Sequence, residues 1–311
     1  MFKKSVILLI IFFLTVFTVY AGGTQEAVSV MEPVIVGSKI DTEGALLGQM
    51  IIKILEKGGI PWEDRTEFGP TDVIRKAIIS GEIDIYPEYT GNGQFFFSSD
   101  NPELWKNSTQ GYNEVKKLDY SANKIVWLNP APANNTWAIA VRKDLAEKEN
   151  IKTLEDFADY ANRGGEIKLA CSEEFVSSEA ALPAFEKSYG FTLGKDQLLV
   201  LSGGNTAQTE KAAADQTDGV NFAMAYGTDG ALAAFSLWVL TDTKEVQPVY
   251  EPAPIIREEM LKMYPEIESL LKPVFESLDL VTLQDLNGKI VVEGRDAGEV
   301  AEEYLILKGF L

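Results

Sequence analysis

The chain has 311 residues, 46% hydrophobic and 24% charged, the composition of a globular protein with room for one large domain or two ordinary ones. Its 28 Lys and Arg stand against 47 Asp and Glu, a net charge of −19 that argues against nucleic acid as a partner. With no His and a single Cys, it has no His-dependent catalytic triad, lacks the usual zinc ligand and can form no intrachain disulfide.

Lys3 and Lys4 precede the apolar run SVILLIIFFLTVFTVYA, whose end, Val19-Tyr20-Ala21, has the small-x-small pattern of a signal peptidase site. The run is short against the roughly 20 residues of a bilayer span, so residues 1–21 are expected to be a cleaved signal peptide rather than an anchor. Residues 22–32 then form a tether. Pro33 to Lys39 reads as a strand and turn, and DTEGALLGQMIIKILEKGG as a helix. Asp41 or Thr42 can cap that helix, Leu46, Leu47, Met50, Ile51, Ile54 and Leu55 share one face, and Gly58-Gly59 stops it. A helix over 71–80 leads into a strand over 83–86. Strands at 124–128 and 137–141 bracket the loop NPAPANNT. Next come a helix around 153–162, a strand at 167–171, a helix around 179–188, a strand at 198–201, a helix around 206–214 and a strand at 220–225. Helices around 256–262, 265–277 and 296–308 close the chain. Cys171 follows the apolar IKLA and reads as a buried structural thiol.

Strands alternating with helices predict parallel sheets, which bind ligands beyond the carboxyl ends of their strands. Two stretches share that position, EIDIYPEYTGNG at 82–93 and TDGVNFAMAYGTDG at 217–230. Each follows a helix, runs through a short apolar strand and ends in a Tyr before breaking into Thr and Gly. The pattern predicts two similar α/β lobes facing each other over a cleft, with the chain crossing near 135–140 and returning near 238–250.

The segments VGSK at 36–39, SGEIDIYPEYTG, NNTWAIAV, EEFV with LPAFEKSYGF, and AYGTDG carry a resemblance, in order and over nearly the whole mature chain. They resemble the substrate-binding proteins of ABC transporters for glycine betaine, choline and related osmolytes. The resemblance implies an α/β, two-lobe periplasmic-binding-protein fold of type II. Each lobe would be a mostly parallel sheet with flanking helices, hinged by two crossover strands. Lobe 1 would comprise 33–137 plus 242–311, and lobe 2 would comprise 138–241. It further implies a monomeric, non-catalytic periplasmic receptor without cofactor or metal, which delivers a quaternary-ammonium ligand to an ABC permease in the inner membrane.

A trimethylammonium head carries diffuse positive charge and has no N–H to donate, so several aromatic faces suit it best, each contributing about 0.5–2 kcal/mol when water is excluded. Carried over position by position, the family's cage falls on Tyr89, Trp137, Tyr226 and Tyr250, with Trp137 where Tyr is common. The polar end falls on Lys39, Asn92, Asn135 and Glu174. Asn92 stands where Thr often sits, and Asn135 replaces a common Asp. Ser178, in SSEAA, stands where the family usually has Arg, which weakens recognition of a ligand carboxylate and makes choline competitive with betaine. GSKIDTEG also departs from the usual pattern, and Thr42-Glu43 are expected to cap or decorate the helix start rather than touch ligand. The alternatives are a receptor for another small cationic or zwitterionic ligand, and an exported enzyme using acids such as Glu88 or Glu174.

Overall fold

In the computed structural model, which describes residues 32–97, 101–202 and 206–311, strands and helices alternate and the strands close into two five-stranded sheets. The expected signal peptide (1–21) and tether residues 22–31 lie outside the described residues. The chain begins with β1 (Val34–Lys39), α1 (Thr42–Lys57), β2 (Trp62–Gly69), α2 (Thr71–Ser80), β3 (Ile85–Tyr89), α3 (Gly93–Phe96), α4 (Ser108–Asn123) and β4 (Ile125–Trp127). It continues through β5 (Trp137–Arg142), α5 (Lys143–Glu149), α6 (Leu154–Asn162), β6 (Leu169–Ser172), α7 (Glu173–Ser177) and α8 (Leu182–Tyr189). After these come β7 (Leu198–Leu201), α9 (Thr206–Ala214), β8 (Phe222–Tyr226), α10 (Ala231–Ala234) and β9 (Leu237–Val239). It ends with β10 (Pro252–Arg257), α11 (Glu258–Met263), α12 (Glu266–Glu276), α13 (Leu280–Val291) and α14 (Ala297–Leu307).

The first sheet runs β2-β1-β3-β10-β4 and the second β7-β6-β8-β5-β9. This is the two-lobe α/β architecture expected, with one difference. Each sheet is mixed, because β10 lies antiparallel to β3 and β4, and β5 lies antiparallel to β8 and β9. Only β1 with β2 and β3, and β6 with β7 and β8, are parallel. The physical reason lies in the route of the chain. Strands that follow a helix enter from the far edge and run toward the cleft, whereas β5 and β10 arrive from the other lobe and run away from it.

Each lobe has its own apolar core. The predicted face of α1, Leu46, Leu47, Met50, Ile51, Ile54 and Leu55, is buried against Leu271 and Phe275 of α12, Leu286 of α13 and Leu305 of α14. Asp41 is the cap of α1, its carboxylate accepting from the Gly44 N–H at 2.8 Å. In the second lobe Phe157, Phe185 and Phe222 pack around Cys171, which is buried and whose thiol burial pushes up to about 11, as an inert structural thiol requires.

One buried ion pair braces the segment after β3. Asp119 of α4, fully buried, accepts from both terminal nitrogens of Arg75 at 2.6 and 2.8 Å and from the Trp127 indole at 2.8 Å. The Arg75 guanidinium also lies 4.3 Å from the ring centroid of Phe96 in α3. Because removing one partner leaves a buried charge unpaired, Asp119→Ala should destabilise the fold by about 3–5 kcal/mol in urea denaturation. A loss below about 1 kcal/mol would show that this brace is dispensable.

Candidate functional site

A cavity of about 920 Å³ lies at the strand ends, and all nine residues singled out in the sequence line it: Lys39, Tyr89, Asn92, Asn135, Trp137, Glu174, Ser178, Tyr226 and Tyr250. Strand register accounts for the aromatic part. Trp137 opens β5 opposite Tyr226, which closes β8. Pro252 opens β10 opposite Tyr89, which closes β3, so Tyr250 arrives two residues before that pairing. Two rings thus come from the second sheet, and two from the end of β3 and the segment leading into β10.

On the second sheet the Trp137 indole N–H donates to the Tyr226 hydroxyl at 2.9 Å, and the rings lie nearly parallel, 20° apart with centroids separated by 6.5 Å. Phe175 buttresses Trp137 edge-on at 6.2 Å. Phe175 is itself fixed because its N–H donates to Ser172, the cap of α7. On the first sheet, the Tyr250 hydroxyl accepts from the Gln94 amide at 2.7 Å, and its ring covers Gly91 so closely that a Cβ there would lie 2.7 Å from it. That contact explains the Gly in YTGNG. Burial, with Tyr226 nearby, pushes the Tyr250 phenol up to about 12, so it stays neutral.

Lys39 and Asn92 are committed to a different task from the one expected of them. The Lys39 ammonium lies 2.6 Å from Glu88 and 4.4 Å from the Tyr89 ring centroid. Glu88, fully buried, also accepts from the Tyr86 hydroxyl, the Tyr89 N–H and the Asn92 amide. Lys39 is therefore neutralised from within, and Asn92 supports Glu88. Glu174 and Ser178 sit in α7 and at its C-terminal cap, and the negative charge of Glu174 acts on the Tyr226 phenol. The Asn135 amide nitrogen donates to Glu43 at 3.3 Å, while its carbonyl oxygen has no hydrogen-bond partner among the described residues.

Glu43 corrects the sequence reading. It does not decorate the helix start: it is buried, lines the cavity and accepts from the Tyr89 hydroxyl and the Asn287 amide, each at 2.7 Å. Burial raises its carboxyl to about 7, against the opposing effect of hydrogen bonds from Thr228, Tyr89 and Asn287. Sequence reading also missed Glu210 and Asp229. Burial and the neighbouring Asp229 raise Glu210 to about 10, so it stays protonated, and Asp229 accepts from the Tyr226 N–H at 2.6 Å. Among the described residues lining the cavity, Lys39 is the only Lys or Arg, against Asp41, Glu43, Glu174 and Asp229, with Glu210 neutral. The site is an aromatic bowl with an acidic wall, suited to a diffuse cation.

Residues 32–306 match the family model OpuAC, described as the substrate binding domain of ABC-type glycine betaine transport systems. The glycine betaine-binding protein YehZ of Escherichia coli is 59% identical over 278 residues, covering 89% of this chain and 91% of that protein. A glycine-betaine-binding protein of Pseudomonas aeruginosa is 30% identical over 292 residues, covering 92% of this chain and 90% of that one. The solved apo structure of the Escherichia coli protein superposes with a TM-score of 0.85, covering 90% of this chain and all of that one. The chain belongs to the family of substrate-binding domains of ABC-type glycine betaine transport systems.

Proposed function

We propose that this protein is a non-catalytic periplasmic receptor that encloses glycine betaine, or choline as a second ligand, between Tyr89 and Tyr250 of one lobe and Trp137 and Tyr226 of the other. Residues 1–21 direct export, and lobe 1 (33–136 plus 242–311) closes on lobe 2 (137–241), the boundary falling one residue earlier than the sequence reading because Trp137 opens β5 of the second sheet. The monomeric closed form hands its cargo to an ABC permease in the inner membrane. The observation that carries the reading is the pair of aromatic rings supplied by each lobe to one acid-walled cavity. Closure expels water, and each ring face then contributes about 0.5–2 kcal/mol, so four fully desolvated faces at the upper end of that range reach the roughly 8 kcal/mol of a micromolar complex.

The carboxylate end of betaine is served less well. Ser178 offers no bidentate donor, and Lys39 already answers Glu88 at 2.6 Å. Choline, which has only a hydroxyl at that end, makes no such demand.

Calorimetry with glycine betaine tests the cage. Trp137→Ala and Tyr226→Ala should each weaken binding at least tenfold, the equivalent of about 1.4 kcal/mol. Unchanged affinity in both variants overturns the reading. Ser178→Arg restores a charge-assisted fork contributing about 1.5–3 kcal/mol, so it should tighten glycine betaine roughly ten- to hundredfold and leave choline unaffected. Equal tightening of both ligands would show that residue 178 does not face the carboxylate.

A further inference from the structure

The cavity explains the aromatic rings but not why a buried acid, Glu43, lies directly behind one of them. We propose that Glu43 is a positioning residue of the binding site: its carboxylate fixes the Tyr89 ring and, through Asn287 and Thr228, ties the loop 227–230 of the second lobe to α13 of the first. The inference rests on the receptor reading above and deepens it.

Five segments of chain converge on this side chain. Glu43 itself stands at the start of α1, and the Tyr89 hydroxyl at the end of β3 donates to Oε1 at 2.7 Å. Asn135, in the segment that crosses between the lobes, donates to the same oxygen at 3.3 Å. Asn287 of α13 donates to Oε2 at 2.7 Å and also to the Thr228 carbonyl at 3.0 Å. The Thr228 hydroxyl supplies a further hydrogen bond to Glu43.

Around that centre the two lobes touch backbone to backbone. A Cβ on Gly230 would lie 2.2 Å from the Gly288 nitrogen, and the Gln284 amide donates to the Gly227 carbonyl at 2.7 Å. The loop that begins at Tyr226 is thereby held against α13 at the point where Glu43 bridges them. One carboxylate therefore sets the position of a ring in the first lobe and of the loop following a ring in the second.

The charge state of Glu43 governs how well it can do this. An ionised carboxylate has about four acceptor sites and no donor, which matches the four donors aimed at it. Protonation turns one of those sites into a donor facing other donors. Facing Glu43 are Tyr89 from β3, Asn135 from the crossover, Asn287 from α13 and Thr228 from the loop. The charged groups around it are Asp41 on its own turn, Asp229 next in the loop, and Lys39, which lies over the Tyr89 ring and is paired with Glu88. A bound cation favours the ionised form further. A cation therefore binds more tightly as pH rises through about 7, although by linkage the enclosed carboxyl's own contribution to holding the fold together falls over the same range.

Glu43→Gln keeps the shape and one acceptor but cannot ionise. In calorimetry with glycine betaine between pH 5.5 and 8.5, the wild-type protein should tighten at least fivefold with rising pH, whereas Glu43→Gln should bind at the weaker level throughout. A second arm needs no ligand. Hydrogen exchange, corrected for intrinsic rates, should show segments 227–231 and 284–290 about tenfold less protected in Glu43→Gln than in wild type at pH 8. Asn287→Ala, which leaves the carboxylate in place, should loosen the same segments. If both segments exchange alike in wild type and both variants at pH 8, or if wild type and Glu43→Gln share one pH profile of affinity, the proposal is overturned. If the wild-type protein binds no quaternary ammonium compound at all, the receptor reading falls, and the exchange arm still decides the role of Glu43.

Discussion

The site depends on two antiparallel pairings. β5 and β10 enter their sheets at the cleft edge beside strands that end there, so the first residue of each entering strand lies opposite the last residue of its neighbour. A one-residue slip in either pairing would turn its side chains to the other face of the sheet and take a ring out of the cavity. Register of this kind is held by buried faces on both sides of the sheet, here Ile139, Val141, Phe222 and Met224 against Ala140, Ala223 and Ala225 in one lobe, and Ile85 and Ile256 against Ile255 in the other. The cores of the lobes thus do more than stabilise them: they index the aromatic residues.

Electrostatics then selects the guest. Among the described residues the lining is acidic, and its one Lys is already neutralised by a fully buried carboxylate with three other donors. An anion would meet no free positive charge. A primary ammonium gains from carboxylates but only partly from ring faces. A methylated onium group gains from the rings without demanding an acceptor for an N–H it does not have. The Lys39 ammonium, 4.4 Å from the Tyr89 centroid, is an internal instance of the same attraction.

Much of this was legible in the sequence because the signals were local. YPEYTG and AYGTDG each place a Tyr, a strand end and a Gly turn within six residues, and the α1 face is a regular three-and-four repeat. Several of the elements missed, which also include β9 and β10, lack such periodicity. β2, WEDRTEFG, is a largely exposed, charged edge strand with no apolar alternation. α4 buries only Gly111, Val115 and Asp119, and α13 buries Asn287 and Gly288 where an apolar stripe would be expected. Glu43 was misjudged for a related reason. An acid in the first turn of a helix is ordinarily a solvated partner of the helix dipole, and nothing nearby in sequence reveals that Asn287, 244 residues away, reaches it. Long-range polar contacts leave no periodic trace, so the first helix yields its apolar face to inspection and conceals its functional acid.

Glu43 also separates stability from function. Its carboxyl titrates at about 7 in the fold against an ordinary 4.5, so the folded state holds that proton more tightly than the unfolded chain does. The stabilising contribution is complete below the ordinary value and is lost as pH rises to about 7, a change of roughly 3 kcal/mol. Above that range the acid is ionised, and the fold is weaker by that amount than it would be with a neutral group that made the same bonds. A hydrophobic residue in this position would avoid the loss but would deprive the Tyr89 hydroxyl and the Asn135 amide of this acceptor, and would leave loop 227–230 held to α13 only through the Thr228 and Gly227 carbonyls. The molecule is less stable than its packing allows, at the one point where both lobes must be held in register with a ring.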